Sequence, residues 1–155
     1  MGVGIEEATA SDAEAVIALW HECGLTRPWN DPHQDFDRAL AWPASTILVA
    51  RDGPVLLGCA MIGYDGHRGW VYYLAVSPAH QRAGLGRQMM KTAADWLRDC
   101  GAPKVQLMVR TDNSATLDFY AALGFERQET VTLGKFFETS AVESQLVPVF
   151  PGVAP

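Results

Sequence analysis

The chain has 155 residues and a formal net charge of −6 at pH 7. That length suits one compact domain, and a composition of 48% hydrophobic, 10% aromatic and 19% charged residues is typical of a globular protein and excludes a disordered one. An acidic chain repels a phosphate backbone, and no local basic patch overrides the mean charge. We therefore expect no nucleic-acid partner.

No segment predicts insertion into a membrane or export. The uncharged stretches before the C-terminal tail, such as residues 53–64 with Pro54, are far shorter than the roughly 20 residues that a membrane-spanning helix needs. No basic segment precedes an apolar run near Met1, so we expect a cytoplasmic protein without a membrane partner. The three cysteines are widely separated and form no Cys-x-x-Cys pair, which favours reduced thiols and predicts no metal site.

The N-terminal half predicts a strand, two helices and three further strands. Residues 3–9 alternate loosely, as in a strand, and Ser11 with Glu14 forms a capping box at the start of an amphipathic helix. Pro32 starts a second helix. Three strands separated by turn residues then form an antiparallel meander, predicted at 46–51, 55–64 and 70–76.

The C-terminal half predicts helices that alternate with strands. Apolar residues keep helical spacing from Leu85 until a Gly-Ala-Pro segment at 101–103 stops them. The elements predicted next are a strand at 104–110, a helix at 114–123 and strands at 125–131 and 133–138. The pattern predicts one α/β (α+β) domain over residues 1–138, with a mixed, mostly antiparallel sheet and helices on both faces. Prolines interrupt residues 139–155, which we expect to form an extended tail.

A glycine-rich loop joins the strand at 70–76 to the long helix. It reads Gln-Arg-Ala-Gly-Leu-Gly, and the helix begins at once. Backbone N–H groups in the first turn of a helix lack intrahelical partners and glycines let an anion approach them, so the loop suits a pyrophosphate, with Arg82 and Arg87 as counter-charges. The same glycines could serve only a tight turn. A Rossmann motif does not fit, because Met89 stands where its third glycine would be.

A second motif runs from Asn113 through Tyr120 to Gly124 and Phe125. Together with the glycine-rich loop, it resembles the signatures of the GNAT superfamily of N-acetyltransferases. The resemblance extends element by element over residues 3–138. Within the superfamily, the segments at 27–32 (RPWNDP) and 64–69 (YDGHRG) look like those of the bacterial YpeA-like acetyltransferases, a branch near the ribosomal-protein alanine acetyltransferases.

The resemblance implies that the strands at 70–76 and 104–110 start paired and then splay apart, beside a β-bulge near Leu74 and Ala75. The unpaired backbone would bond the pantetheine arm of acetyl-CoA, and an N–H group near Leu74 or Ala75 would stabilise negative charge on the thioester carbonyl oxygen. The implied cofactor-binding residues are Leu74, Ala75, Val76, Gln81, Arg82, Ala83, Gly84, Leu85, Gly86, Arg87 and Asn113.

Tyr120 is the candidate catalytic residue. The family's tyrosine at this position points at the cofactor sulfur, which implies that Tyr120 protonates the departing thiolate as a general acid. Its ring could instead only pack in the core. Asn113 has two interpretations of equal weight, a contact to the cofactor arm and a cap of the helix that follows.

The acceptor side departs from the family pattern. Many members carry a glutamate on a central strand to deprotonate the amine, whereas here Met108 holds the position where the alanine acetyltransferases have it. Either water relays the proton or the amine arrives neutral. His67 is a poor candidate base because it lies about 20 Å along the strand from Tyr73. The candidate acceptor residues are Trp29, Asn30, Tyr72 and Tyr73.

Period-two alternation places Tyr72 and Tyr73 on opposite faces of their strand, so only one of them can face the acceptor. The sequence as a whole predicts an N-acetyltransferase that moves an acetyl group from acetyl-CoA to a primary amine by direct attack in a ternary complex. The amine would belong to a small molecule, an amino acid or a peptide N-terminus. The alternative is a non-catalytic acyl-CoA-binding or regulatory module on the same fold, and we expect a monomer or homodimer.

Overall fold

The computed structural model describes residues 2–137, so the predicted tail at 139–155 lies outside the described residues. Within that range the elements follow one another as β1 (Gly4–Glu7), α1 (Ala13–Glu22), α2 (Pro32–Ala41), β2 (Ser45–Asp52), β3 (Val55–Tyr64), β4 (Gly69–Val76), α3 (Leu85–Asp99), β5 (Val105–Leu107) and α4 (Ser114–Ala122). Single 3₁₀ turns at Ala10–Asp12 and Pro78–His80 precede α1 and α3.

The five strands form one sheet in the order β1-β2-β3-β4-β5. Neighbours from β1 to β4 are antiparallel, and β5 is parallel to β4. The turns of the meander contain Gly53 and Gly66, whose φ values of +58° and +89° lie in the left-handed region that favours glycine. The prediction of a mixed, mostly antiparallel sheet flanked by helices is confirmed.

Alternating residues of the strands pack on two faces. In β2, Ile47 and Val49 point toward α1 and α2, while Leu48 and Ala50 point toward α3. The α1/α2 core is the cluster on the first face, and its fully buried members include Val16, Trp20, Phe36 and Cys59. The α3/α4 core is the cluster on the other face, and its buried members include Ile62, Val71, Met89, Leu97 and Tyr120.

The strands β4 and β5 diverge after a short paired section. Pairing extends only from Gly69 with Val105 to Val71 with Leu107, although β4 continues to Val76. Residues 72–76 of β4 therefore have no partner in β5. We call the gap beside these five residues the fork. The splayed pair of central strands that the resemblance implied is present.

The C-terminal strands are shorter than predicted or missing. The strand predicted at 104–110 is limited to Val105–Leu107, because β4 turns away beyond Val71 and leaves no ladder to extend. Residues 125–137 form no strand, and Val131 and Leu133 are 84% and 86% exposed. The strands predicted at 125–131 and 133–138 were thus wrong over the described residues, and Glu138 lies outside them.

The start of the first helix also differs from the prediction. The capping carboxylate belongs to Asp12, whose Oδ2 accepts the N–H of Thr9 at 2.8 Å, and Ser11 with Glu14 does not form the box. Asp12 is only 8% exposed and pairs with Arg51 of β2. The spacing of Thr9 and Asp12 fits a capping box as well as that of Ser11 and Glu14 does, and the ion pair with Arg51 is the long-range contact that favours Asp12 in this role.

Candidate active site

A β-bulge interrupts β4 where the fork begins. The register of β3 shifts between Cys59 and Met61, so that one β3 residue faces two residues of β4, Tyr73 and Leu74. Tyr73 has a φ of +52°, a left-handed conformation that costs a non-glycine residue roughly 1–2 kcal/mol. The bulge lies one residue before the Leu74–Ala75 position that the resemblance implied.

The bulge brings both tyrosines of β4 to one face of the sheet. Val71 and Leu74 both pack on the α3/α4 core, three positions apart, whereas Tyr73 packs on the α1/α2 core. Tyr72 follows Val71 in regular alternation and therefore faces the same side as Tyr73. The prediction that Tyr72 and Tyr73 point in opposite directions was wrong, because the inserted residue breaks the period of two. Tyr72 is 41% exposed and stacks on Trp70 at a centroid distance of 6.2 Å.

Contacts from two helices hold the Tyr73 side chain. Its ring stacks on Trp20 of α1, with centroids 4.1 Å apart and planes 15° apart. Its hydroxyl donates to Asp35 Oδ2 of α2 at 2.9 Å. Burial and the Asp35 carboxylate raise the pKa of Tyr73 to about 12, while the Asn30 side chain, also at this hydroxyl, acts in the opposite direction. Tyr73 and Asn30, both candidate acceptor residues, thus lie together on the α1/α2 side.

The glycine-rich loop exposes its backbone. Arg82 and Gly84 have φ values of +65° and +86°, and residues 81–84 are exposed. Among residues 2–137, no atom beyond the two adjacent residues lies within 4 Å of the place that a Cβ on Gly84 would take. Since α3 begins at Leu85, the N–H groups at 85–87 have no intrahelical acceptor. Left-handed residues ahead of a helix form a concavity that suits an anion, and here it is open.

Gly86 has a packing role that differs from that of Gly84. A Cβ on Gly86 would stand 3.1 Å from Phe119 Cζ of α4 and 3.9 Å from Val76 Cγ2 of β4. The missing side chain therefore lets the start of α3, the end of β4 and α4 meet at one point. The loop, the fork and the helix that carries Tyr120 are neighbours for this reason.

The backbone of Val76 faces the fork. In an antiparallel ladder, pairs that exchange both hydrogen bonds alternate with pairs that exchange none. Ser77 donates its N–H to the Leu57 carbonyl at 2.8 Å, so the next pair, Gly58 with Val76, exchanges none. The N–H and carbonyl of Val76 consequently point away from β3.

Two side chains donate to the Val76 carbonyl. Gln81 Nε2 lies 3.0 Å from this oxygen, and Cys23 Sγ at the end of α1 lies 3.4 Å from it. Burial is the main cause of a raised pKa for the Cys23 thiol, which therefore stays protonated and able to donate. A ligand amide that approached this oxygen would compete with the weaker of the two donors, the thiol.

Tyr120 lies on the α3/α4 side, where it is 8% exposed. Its ring contacts Phe119 and Phe125 edge to face, at centroid distances of 4.9 and 5.5 Å. Burial raises its pKa to about 12, so the phenol is a proton donor and not a base near neutral pH. Tyr120 also lines an open groove of about 1480 Å³ between α3, β5, α4 and the segment after α4. The buried ring meets the packing interpretation, and the catalytic role of Tyr120 stays a prediction.

Asn113 caps α4. Its side-chain oxygen accepts the N–H of Thr116 at 3.2 Å, which is the contact of an N-cap residue. The capping interpretation of Asn113 is therefore met. The amide nitrogen of the same side chain is not used in this contact, so a role toward the cofactor arm stays a prediction.

Of the two residues that the sequence brought into question, His67 lies away from the fork, whereas Met108 directly follows the last paired residue of β5. His67 occupies the turn before β4, where its N–H donates to Asp65 Oδ1 at 2.8 Å, at the opposite end of the strand from the fork. Met108 is 51% exposed and its sulfur accepts the Thr132 hydroxyl at 3.4 Å. Neither residue supplies a base to the reaction site.

Three residues near the site make contacts that the sequence did not indicate. Trp20 was interpreted only as part of an apolar helical stripe and Cys23 as a mostly buried thiol, while Asp35 was one of several acids that either attract a cationic amine or only solvate the surface. The contacts of Trp20 and Asp35 with Tyr73, and of Cys23 with Val76, join residues 38 to 53 positions apart. No local motif signals such contacts.

Among residues 2–137, no three side chains of His, Cys, Asp or Glu form a group that could hold a metal ion. No helix in the same range has the length and apolar character needed to cross a bilayer.

Comparison with known proteins adds three findings. The sequence profile of the Acetyltransferase (GNAT) family matches residues 13–125. An acetyltransferase of Yersinia enterocolitica is 43% identical over 125 residues, which cover 81% of this chain and 89% of that protein. Two solved structures share the fold at low identity and so inform only on architecture.

The first of these structures is the aminoglycoside acetyltransferase AAC(6′)-Iy in complex with a CoA-containing bisubstrate analogue, with a TM-score of 0.74 and 18% identity over 91% of this chain and all of that one. The second is the ribosomal-protein alanine N-acetyltransferase of Escherichia coli, with a TM-score of 0.71 and 21% identity over 82% of this chain and 79% of that one.

Proposed function

Because the chain belongs to the GNAT family of acetyltransferases, which transfer an acetyl group from acetyl-CoA to an amine, we propose that the fork and the loop before α3 form its acetyl-CoA site. The observation that carries this proposal is the divergence of β4 and β5 after Val71, directly beside an open N-terminal helix turn. The acceptor is a primary amine that attacks the thioester directly in a ternary complex.

The loop holds the pyrophosphate. The free N–H groups at 85–87, the helix dipole and the left-handed residues Arg82 and Gly84 favour a negative charge there. Gln81, Ala83 and Arg87 complete the loop, and all three are exposed to a ligand. Among the helices in residues 2–137, α3 is the longest, and its first turn meets the end of β4 at Gly86.

The backbone of β4 positions the acyl group. Val76 directs its N–H and carbonyl into the fork, where they pair with the pantetheine amides in the manner of an added strand. Leu74, within the bulge, supplies the N–H that stabilises negative charge on the carbonyl oxygen. Acetyl-CoA itself supplies the acetyl group already activated as a thioester.

Tyr120 donates the proton that the leaving thiolate needs. It stays protonated because burial raises its pKa to about 12, and it borders the groove beside the start of α3. No carboxylate replaces the missing glutamate at Leu107 or Met108, so water relays the amine proton or the amine arrives neutral. General acid catalysis of the kind proposed for Tyr120 typically increases the reaction rate by about 10²- to 10⁴-fold.

The acceptor binds on the α1/α2 side of β4. Tyr72 and Tyr73 both face this side, Asn30 reaches the Tyr73 hydroxyl, and Trp29 precedes Asn30 in the loop between α1 and α2. The acceptor class is a small-molecule amine, an amino acid or a peptide N-terminus. We also propose that the chain lies in the YpeA-like branch, works in the cytoplasm and is a monomer or homodimer.

The decisive experiment measures thiol release from acetyl-CoA by the purified protein with a panel of amines, amino acids and peptide N-termini. We expect amine-dependent release, and a loss of roughly 100-fold in kcat for Tyr120→Phe with binding of CoA retained. Tyr64→Phe, which removes a hydroxyl at the far end of β3, should behave like the wild type. Wild-type kcat in Tyr120→Phe would show that Tyr120 is not the general acid.

A further inference from the structure

Tyr73 combines a strained backbone with an unusually well-held side chain. Tyr73 and Arg82 are the non-glycine residues with positive φ among residues 2–137, and Arg82 lies in an exposed loop. Tyr73, in contrast, lies inside a strand, where a bulge of this kind usually has glycine at the left-handed position. Such strain persists only where the surroundings over-determine the conformation.

The surroundings of Tyr73 do over-determine it. The ring stacks on Trp20, which is fully buried, with the ring centroids 4.1 Å apart. The hydroxyl is fixed at the other end of the ring by Asp35 Oδ2, at 2.9 Å. Because α1 carries Trp20 and α2 carries Asp35, the position of this one side chain is set by two helices independently of the sheet.

The fixed residue directly precedes the backbone that serves the reaction. Leu74 is the second residue of the bulge, and Ala75 after it returns to the regular ladder opposite Cys59. The left-handed conformation of Tyr73 therefore sets, through its φ and ψ together, the direction of the peptide group between Tyr73 and Leu74, whose N–H belongs to Leu74. A flip of this peptide group, in which ψ of Tyr73 and φ of Leu74 rotate in opposite directions, would turn that N–H without moving the loop at 81–86 or Val76.

We propose that Tyr73 is a positioning residue for acetyl transfer: its side chain, held by Trp20 and Asp35, fixes the left-handed turn in β4 and so aims the Leu74 N–H at the acetyl carbonyl oxygen. This inference rests on the proposed function, because it needs the acetyl group beside Leu74. On this proposal, the contact between α2 and β4 affects the rate of acetyl transfer and does not affect the binding of CoA.

The test uses Tyr73→Gly. Glycine adopts a positive φ without strain, so this variant removes the side-chain contacts while permitting the same backbone. We expect kcat to fall at least tenfold, since loss of one such donor typically costs about 10²- to 10³-fold. The dissociation constant of CoA, which lacks the acetyl carbonyl, should stay within about twofold. Tyr73→Phe, which keeps the stack on Trp20 but loses Asp35, should show a smaller fall in kcat.

Three comparisons keep the test decisive. Leu40→Ala removes an α2 side chain that packs against the same α1/α2 core, and it should leave kcat unchanged. Asp35→Asn keeps an acceptor for the Tyr73 hydroxyl and should retain more of the wild-type kcat than Asp35→Ala. This pair of variants provides the test if Tyr73→Gly does not fold. A rise confined to the KM of the amine would mean that Tyr73 only lines the acceptor site.

The outcomes also separate this inference from the proposed function. Wild-type kcat in Tyr73→Gly, or equal losses of kcat and CoA affinity, would overturn the positioning role while leaving acetyl transfer intact. A wild-type protein that binds CoA but releases no thiol with any amine would overturn the proposed function, and the inference with it.

Discussion

Alkaline pH should destabilise the fold through Tyr120. Burial raises the pKa of this phenol from the ordinary value of 10 to about 12, while in the unfolded chain it ionises near 10. A group whose pKa rises on folding contributes its full stabilisation below the unfolded pKa, and the contribution is lost as the pH rises through the folded pKa. The sensitive window for Tyr120 is therefore the interval between these two values.

The magnitude follows from the size of the shift. Each pKa unit corresponds to about 1.4 kcal/mol, so ionisation of Tyr120 should lower the free energy of unfolding by on the order of 3 kcal/mol across the window. The residue is only 8% exposed, so solvent screens this effect little. For a chain with a stability of about 5–15 kcal/mol, such a loss is large.

Urea unfolding of the wild type and of Tyr120→Phe, at a series of pH values from about 8 to 12, measures the effect. Lysines and the other tyrosines titrate in both proteins, so the difference between the two curves isolates Tyr120. We expect the stability of the wild type to fall more steeply than that of Tyr120→Phe in the window. Parallel curves would show that the phenol is not desolvated and would refute the reasoning.

Three further predictions concern the loop, the start of α1 and the fork. Gly84→Ala meets no steric obstacle, so its φ of +86° alone should cost about 1–2 kcal/mol and lower Tm by a few degrees, with a raised KM for acetyl-CoA; an unchanged Tm would contradict the strain argument. Burial opposes ionisation of Asp12, but the Thr9 N–H and Arg51 outweigh it and lower its pKa, so stability should fall at acid pH as that carboxylate protonates. Urea titration should show a weaker fall for Asp12→Asn than for the wild type, and parallel curves would contradict the ion pair's contribution. Cys23→Ala removes the weaker donor to the Val76 carbonyl, and steady-state kinetics should give a KM for acetyl-CoA equal to or below that of the wild type; a severalfold rise would mean that the thiol assists binding.

The sequence was most informative where the chemistry is local. Glycine and aspartate at the hairpins predicted the meander. The anion-binding geometry of the Gly84 loop could also be predicted, because the geometry of a helix N-terminus depends on a few adjacent residues. The fork came from the resemblance to a family and not from the residues of β4 and β5. Nothing in a run of β-forming residues such as 70–76 shows where a ladder ends.

The bulge and its contacts could not be predicted for a related reason. Two consecutive tyrosines fit a regular strand, so alternation is the default and a left-handed Tyr73 has no local signal. The contact that holds it comes from Asp35, 38 residues earlier in the chain. Likewise, strands were predicted within 125–137 from the strand propensity of the side chains alone. A strand, however, forms only beside a partner with free hydrogen-bonding groups.

A crystal structure of the protein with bound CoA tests the central claim most directly. We expect the pantetheine chain to lie between residues 72–76 of β4 and the chain beyond Leu107, with the pyrophosphate on the N–H groups at the start of α3. The sulfur should lie within hydrogen-bonding reach of the Tyr120 hydroxyl. CoA bound elsewhere would contradict the account. So would a structure in which β4 and β5 pair along their full length and leave no room for the pantetheine chain.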